Sequence, residues 1–155
     1  MISIKISQDD FSVNDEYDSL CQSAPKSGAV VFFVGLVRDL YEENSDDLID
    51  YIELSHYKGM TESICHEIMH EAQQRFKIEA ARLVHRVGKI YASEQIVMVA
   101  VASQHRKNAF QAGQFIMDYL KTRATLWKKE VGDRGEQWIG MKKTDAKAVN
   151  TWHDK

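Results

Sequence analysis

The chain has 155 residues, 44% hydrophobic and 28% charged, with a formal net charge of −3 and a sequence pI near 6.1. That length fits one domain with a real core, and the balance of apolar and charged residues excludes wholesale disorder. An acidic chain is a poor whole-surface binder of nucleic acid, so any anion site must be local. Two cysteines, Cys21 and Cys65, form no CxxC pair and suit free thiols of a reducing compartment better than a disulfide framework. No basic stretch followed by a long apolar run opens the chain. Its longest apolar runs, 29–34 and 96–102, fall well short of a membrane span. The expectation is a soluble cytoplasmic protein, a single domain over 1–155, with neither nucleic acid nor membrane as partner.

In chain order, Ile2, Ile4 and Ile6 alternate with polar residues, the period of a half-buried strand. Residues 28–37 are β-branched and aromatic and predict a buried strand broken at Gly35, with the only proline, Pro25, in the loop before it. An acidic loop at 39–47 leads to a further strand at 48–54. From Met60 the period changes: Met60, Ile64, Ile68 and Ala72, flanked by Cys65, Met69 and Phe76, predict an amphipathic helix. Strands follow at 81–87 and 95–103, separated by a turn at 92–94. A second helix is expected over 107–127, with an apolar stripe of Phe110, Gly113, Ile116, Met117, Leu120 and Ala124. A short strand at 138–141 and a polar tail ending at Lys155 complete the chain. There are no internal repeats. Strands and helices alternate irregularly and several strands are neighbours, which favours an α+β fold with antiparallel pairing over a doubly wound sheet.

The second helix and its approach carry the most chemistry. Lys121 and Lys128 are seven apart, so on a continuous helix they share a side. Arg123 and Lys129 add positive charge that Asp118 and Glu130 only partly offset. Upstream, 103–106 (SQHR) stands where a strand passes into a helix, and a helix N-terminus is a ready anion site. Residues 103–130 are therefore a candidate cationic pocket, although a solvated amphipathic face fits the same spacing as well. Arg38 ends a strand, where a guanidinium can fork onto phosphate or carboxylate or pair at the surface with Asp39 or Glu42.

The run from His66 to His70 matches HExxH, the pattern of a helical zinc site. At 100° per residue, however, both histidines face solvent, opposite Ile68 and Cys65, and no third ligand is suggested. No metal site is assigned. Cys65 and His66 diverge as helix neighbours and make no nucleophile–base pair. His56 and His85 have structural explanations, and Trp127, Trp138 and Trp152 suit core or interface anchors.

Four segments together resemble one family, the large catalytic subunit of molybdopterin synthase (MoaE). They are GAVVFFVGLVR at 28–38, LSHYKGMTE at 54–62, HRVGKI at 85–90 and the whole of 103–130. The resemblance implies an α/β-hammerhead fold with an added antiparallel β subdomain. It implies a sulfurtransferase that converts cyclic pyranopterin monophosphate (precursor Z) to molybdopterin, a step of molybdenum cofactor biosynthesis. It also implies a partner, a small ubiquitin-like sulfur carrier ending in a Gly-Gly thiocarboxylate, around a homodimer core in a heterotetramer. Lys121 and Lys128 match the family's catalytic positions. Substrate-binding positions fall on Leu36, Val37, Arg38, His105, Arg106, Lys121, Lys128, Lys129 and Glu130. The family often has lysine where this chain has Leu36, so a contact there would be through the backbone. No cofactor and no metal is implied.

Overall fold

Among the described residues there are eight strands, which form two four-stranded sheets, and four helices. The computed structural model describes residues 1–140 and 143–153. The first sheet has the order β1–β4–β6–β2, formed by β1 (Ile2–Ser7), β4 (Ala80–Arg86), β6 (Gln95–Ser103) and β2 (Ala29–Leu36). Its β1–β4 pair is parallel and its other pairs are antiparallel. The second sheet has the order β5–β3–β7–β8, from β5 (Gly88–Tyr91), β3 (Ile49–His56), β7 (Leu126–Gly132) and β8 (Gly135–Ile139), and is antiparallel throughout. This is the α+β class that the irregular alternation of elements predicts.

Strand β6 explains why the first sheet is covered on both faces. Val97, Val99 and Val101 pack under α2 (Met60–Phe76) and α3 (Arg106–Arg123), while Met98, Ala100 and Ala102 face α1 (Val13–Ser23). Alternate side chains of a strand point to opposite faces, so a continuous apolar run is what two covered faces require. On the α2–α3 side the central residues are Phe115, Ile116, Ile68 and Met69, all fully buried. Burying each is worth roughly 1.5–3 kcal/mol.

Six expectations need correction. The strand over 28–37 is not buried: β2 lies at a sheet edge, with Phe32, Phe33 and Leu36 about half exposed. Helix α1 has no counterpart in the periodicity, because only Leu20 of its residues is buried; its one local signal is Ser12, whose hydroxyl accepts from the Asp15 N–H at 3.3 Å. The polar tail contains α4 (Lys143–Asn150), followed by a buried Trp152. The helix expected over 107–127 stops at Arg123, and Ala124 already has extended geometry. Within α3 the stripe is also turned, with Phe110 exposed and Ala109, Ala112, Phe115 and Tyr119 buried. Met60, similarly, is exposed at the start of α2. Met141, the last residue of the expected short strand, and the terminal Asp154 and Lys155 lie outside the described residues.

The end of α3 has a local cause. Thr61, fully buried at the start of α2, donates its hydroxyl to the Thr125 carbonyl at 3.1 Å and meets the Thr125 hydroxyl at 2.8 Å. This pair of contacts pins an extended corner between α3 and β7. At the other end of the α2–α3 layer Trp152 stacks edge-on against Phe76 and Phe115, and its indole N–H donates to Asp118 at 2.8 Å. Trp152→Ala removes a buried aromatic and orphans that acceptor. Chemical denaturation should show a loss of about 3–5 kcal/mol in unfolding free energy.

Candidate active site

The corner at 124–125 turns one basic segment into two walls of a cavity of about 730 Å³. Lys121 enters from the last turn of α3, while Lys128 and Glu130 enter from β7. The end of β2 and the two residues after it contribute Leu36, Val37 and Arg38, and β4 contributes His85. Between these polar groups the lining is apolar, with Ile52 and Leu54 of β3 and Met117 and Leu120 of α3. Lys121 and Lys128 therefore do share a pocket, but not by helical spacing. Lys128 lies opposite Leu54 in the β3–β7 ladder, and Glu130 lies opposite Ile52.

Strand alternation sorts the rest of the 128–130 cluster. Lys128 and Glu130 point to the same side, and the Lys128 ammonium stands 3.4 Å from the buried Glu130 carboxylate. Lys129 points away. It pairs with Glu53 at 3.3 Å and Glu136 at 3.7 Å, and the hydrogen bond to Glu53 holds its pKa above the usual lysine value. Lys129 is thus a strand-pairing cation on the opposite face and no part of this chain's cavity.

Arg38 is exposed, and among the described residues it has no ion pair. Glu42, a candidate partner from the sequence, bonds instead to Arg134, which also holds Asp47 at 2.9 Å and so ties down the acidic loop. Arg38 stands at the cavity mouth as an uncompensated guanidinium. Leu36 lies at the rim, 56% exposed, while Val37 is buried with Ile49 and Ile90. His105 and Arg106 are elsewhere: they begin α3, and the 16 residues to Lys121 span about 24 Å of helix. Both are exposed.

His85 is the cavity residue that sequence reasoning passed over. Its Nδ1 is 2.7 Å from the Arg86 carbonyl, and burial, followed by the nearby Lys121 and His56, pushes its pKa down to about 4. A histidine among apolar strand residues gives no signal of this until α3 is laid across the sheet.

The other motifs resolve as local structure. His66 and His70 are exposed on the outer face of α2, as the 100° projection requires, and Glu67 bonds to Arg123 at 3.2 Å. Trp127 and Trp138 are exposed and only Trp152 joins the core.

An α+β fold of two sheets with two lysines converging on an apolar-walled cavity has the architecture of a small enzyme. The family model described as "MoaE protein" matches residues 6–123. The molybdopterin synthase catalytic subunit of Vibrio cholerae is 44% identical over 149 residues, covering 96% of this chain and 97% of that protein. The structure of the molybdopterin biosynthesis MoaE protein from Burkholderia ambifaria superposes with a TM-score of 0.84 at 43% identity, covering 99% of each chain. The molybdopterin synthase structure from Staphylococcus aureus matches with a TM-score of 0.78 at 29% identity, covering 88% of this chain and 96% of that one. The chain belongs to the MoaE family.

The two thiols differ in a way that checks the placement of α2. Cys65 is 2% exposed, and its burial, with Glu62 nearby, pushes its pKa up to about 11. Cys21 is partly exposed. Iodoacetamide at pH 8 should label Cys21 alone in the folded protein and both thiols in urea, read by mass spectrometry of peptides.

Proposed function

We propose that this chain is the catalytic subunit of a molybdopterin synthase, a sulfurtransferase that forms the dithiolene of molybdopterin from cyclic pyranopterin monophosphate. The observation that carries the reading is the cation-lined, apolar-walled cavity in a chain of the MoaE family. The sulfur donor is the C-terminal thiocarboxylate of a small partner chain; the name of a relative as a catalytic subunit supports the presence of a second chain. Arg38 and Lys128 hold the substrate's phosphate or its reacting oxygen, for which guanidinium and ammonium groups are suited. Lys121 polarises or protonates the thiocarboxylate. Attack of the thiocarboxylate sulfur on the pterin side chain gives a thioester, and its hydrolysis by water returns the partner's carboxylate; both steps develop negative charge, which fixed cations in a partly dehydrated cavity stabilise. Glu130 holds Lys128 in place. The reaction belongs to the cytoplasm, in keeping with two unpaired thiols; among the described residues no helix is long and apolar enough to cross a membrane.

His105 and Arg106 join this site through a second copy of the chain. What supports this is the apolar edge of β2, where Phe33 and Leu36 are exposed. Gly28, at the start of that edge, bonds to Ser103 just before His105, while Arg38 lies just past its end. A two-fold axis that runs one β2 antiparallel to another brings the start of each edge beside the end of the other. His105 and Arg106 of one copy then approach Arg38 of its mate.

Mixing the protein with a thiocarboxylated partner and the cyclic monophosphate should yield the dithiolene product. Lys121→Ala should abolish sulfur transfer while partner binding persists; near-normal turnover would remove Lys121 from the chemistry. Phe33→Glu should shift the protein from dimer to monomer in analytical ultracentrifugation and lower turnover with it.

A further inference from the structure

His85 occupies a position that neither the core nor the proposed chemistry accounts for. It shares the α3-facing side of β4 with Ala81 and Leu83, which are core residues, yet it lies where the core opens into the cavity. Its ladder neighbours are Ile6 on β1 and Val97 on β6, both apolar. Arg86, next on its own strand, is committed to Glu94 at 3.4 Å, Asp10 at 3.8 Å and the Gln95 carbonyl at 2.9 Å. The ionisable groups that act on His85 are therefore Lys121 from α3 and His56 from β3, the latter tied to Glu62 of α2 at 3.5 Å.

The protonation of the ring follows from its one short contact. Nδ1 lies 2.7 Å from a backbone carbonyl, and a carbonyl oxygen can only accept, so Nδ1 carries the hydrogen. Burial disfavours the imidazolium, with Lys121 and His56 adding to the effect against the opposing pull of the carbonyl, so the ring is neutral near pH 7. A neutral ring with hydrogen on Nδ1 has a free lone pair on Nε2, on a side chain that lines the same cavity as Lys121. Lys121 has no acidic partner among the described residues, in contrast to Lys128 with its Glu130. A lysine stem has rotamer entropy to lose, and something must hold the ammonium if it acts at one atom.

We infer that His85 is a positioning residue for Lys121: the two line one cavity without a hydrogen bond between them in this structure, and a turn of the lysine stem lets Nε2 accept from the ammonium and fix where that charge stands. The inference deepens the proposed role of Lys121 and rests on it. A neutral acceptor suits the task better than a carboxylate. It orders the ammonium and leaves the full positive charge for the substrate, whereas a carboxylate would cancel much of that charge.

Two measurements test it. In the wild-type protein, nitrogen-15 NMR of the imidazoles should show His85 with hydrogen on Nδ1 and no titration between pH 8 and pH 5. In Lys121→Met the His85 Nε2 resonance should move downfield as its hydrogen bond is lost. Hydrogen on Nε2, a midpoint near 6.5, or an unchanged Nε2 signal in Lys121→Met overturns the inference, and none of these readings depends on turnover. In the synthase assay His85→Asn keeps a donor for the Arg86 carbonyl but removes the acceptor. Its kcat should fall roughly ten- to hundredfold, with KM for the pterin changed little. His85→Gln, which places an amide oxygen near the Nε2 position, should restore most of that loss. Equal kcat in wild type and His85→Asn, or no recovery in His85→Gln, also overturns it. Failure of the wild type to form dithiolene would instead sink the proposed reaction, with the NMR result still standing.

Discussion

The extended corner at Ala124 and Thr125, held by the buried hydroxyl of Thr61, is the constraint on which the site depends. Without it α3 could run on, and Lys128 would sit two turns past Lys121 on one helix face. With it the chain reverses into β7 and pairs with β3 along its length. Two lysines from a short stretch of sequence then face each other across a cavity instead of lining up on a surface. The same hydroxyl accepts a hydrogen bond from the Tyr57 N–H at 3.1 Å, so the end of β3, the start of α2 and the end of α3 meet at one buried polar node. Such a node leaves few alternative arrangements, because each unmade bond would cost the desolvation of a buried polar group.

Around that node the charges are distributed unequally. Lys128 has Glu130, Lys129 has Glu53 and Glu136, and Arg134 has Glu42 and Asp47. Arg38 and Lys121 have no acidic partner among the described residues, and both border the cavity. A chain with net charge −3 thereby keeps a local positive site, and the surrounding Ile52, Leu54 and Leu120 lower the dielectric in which those charges act. Pairing is weakest where an anionic substrate and a thiocarboxylate would compete for the cations. That is the arrangement an electrostatic catalyst requires.

Strong periodicity was legible and weak periodicity was not. The alternation of Ile2, Ile4 and Ile6, the β-branched run of β6 and the helical spacing from Ile64 to Phe76 all correspond to elements in place. Helix α1 buries a single side chain, so no stripe could reveal it. The boundary of α3 was missed because Leu126 and Trp127 continue an apolar pattern compatible with either helix or strand. β2 has the composition of a buried strand yet lies at an edge, because edge or centre is decided by sheet order and not by the strand's own residues. Of the residues expected at the site, Arg38, Lys121, Lys128 and Glu130 line one cavity, whereas Lys129 faces the other way, and His105 and Arg106 stand a helix length away.

The sequence by itself determined the residue types of the chemistry, the α+β class and the family to which the chain belongs, because these are written in local composition and in runs of identical residues. Tertiary structure alone decided which cations share a cavity, which are neutralised by acids, and that His85 lines the same cavity as Lys121. Those properties depend on distances between β2, β4, α3 and β7, segments brought together only by the two-sheet packing. A charge on the sequence is therefore a type; whether it is free, paired or buried is set by what folds against it.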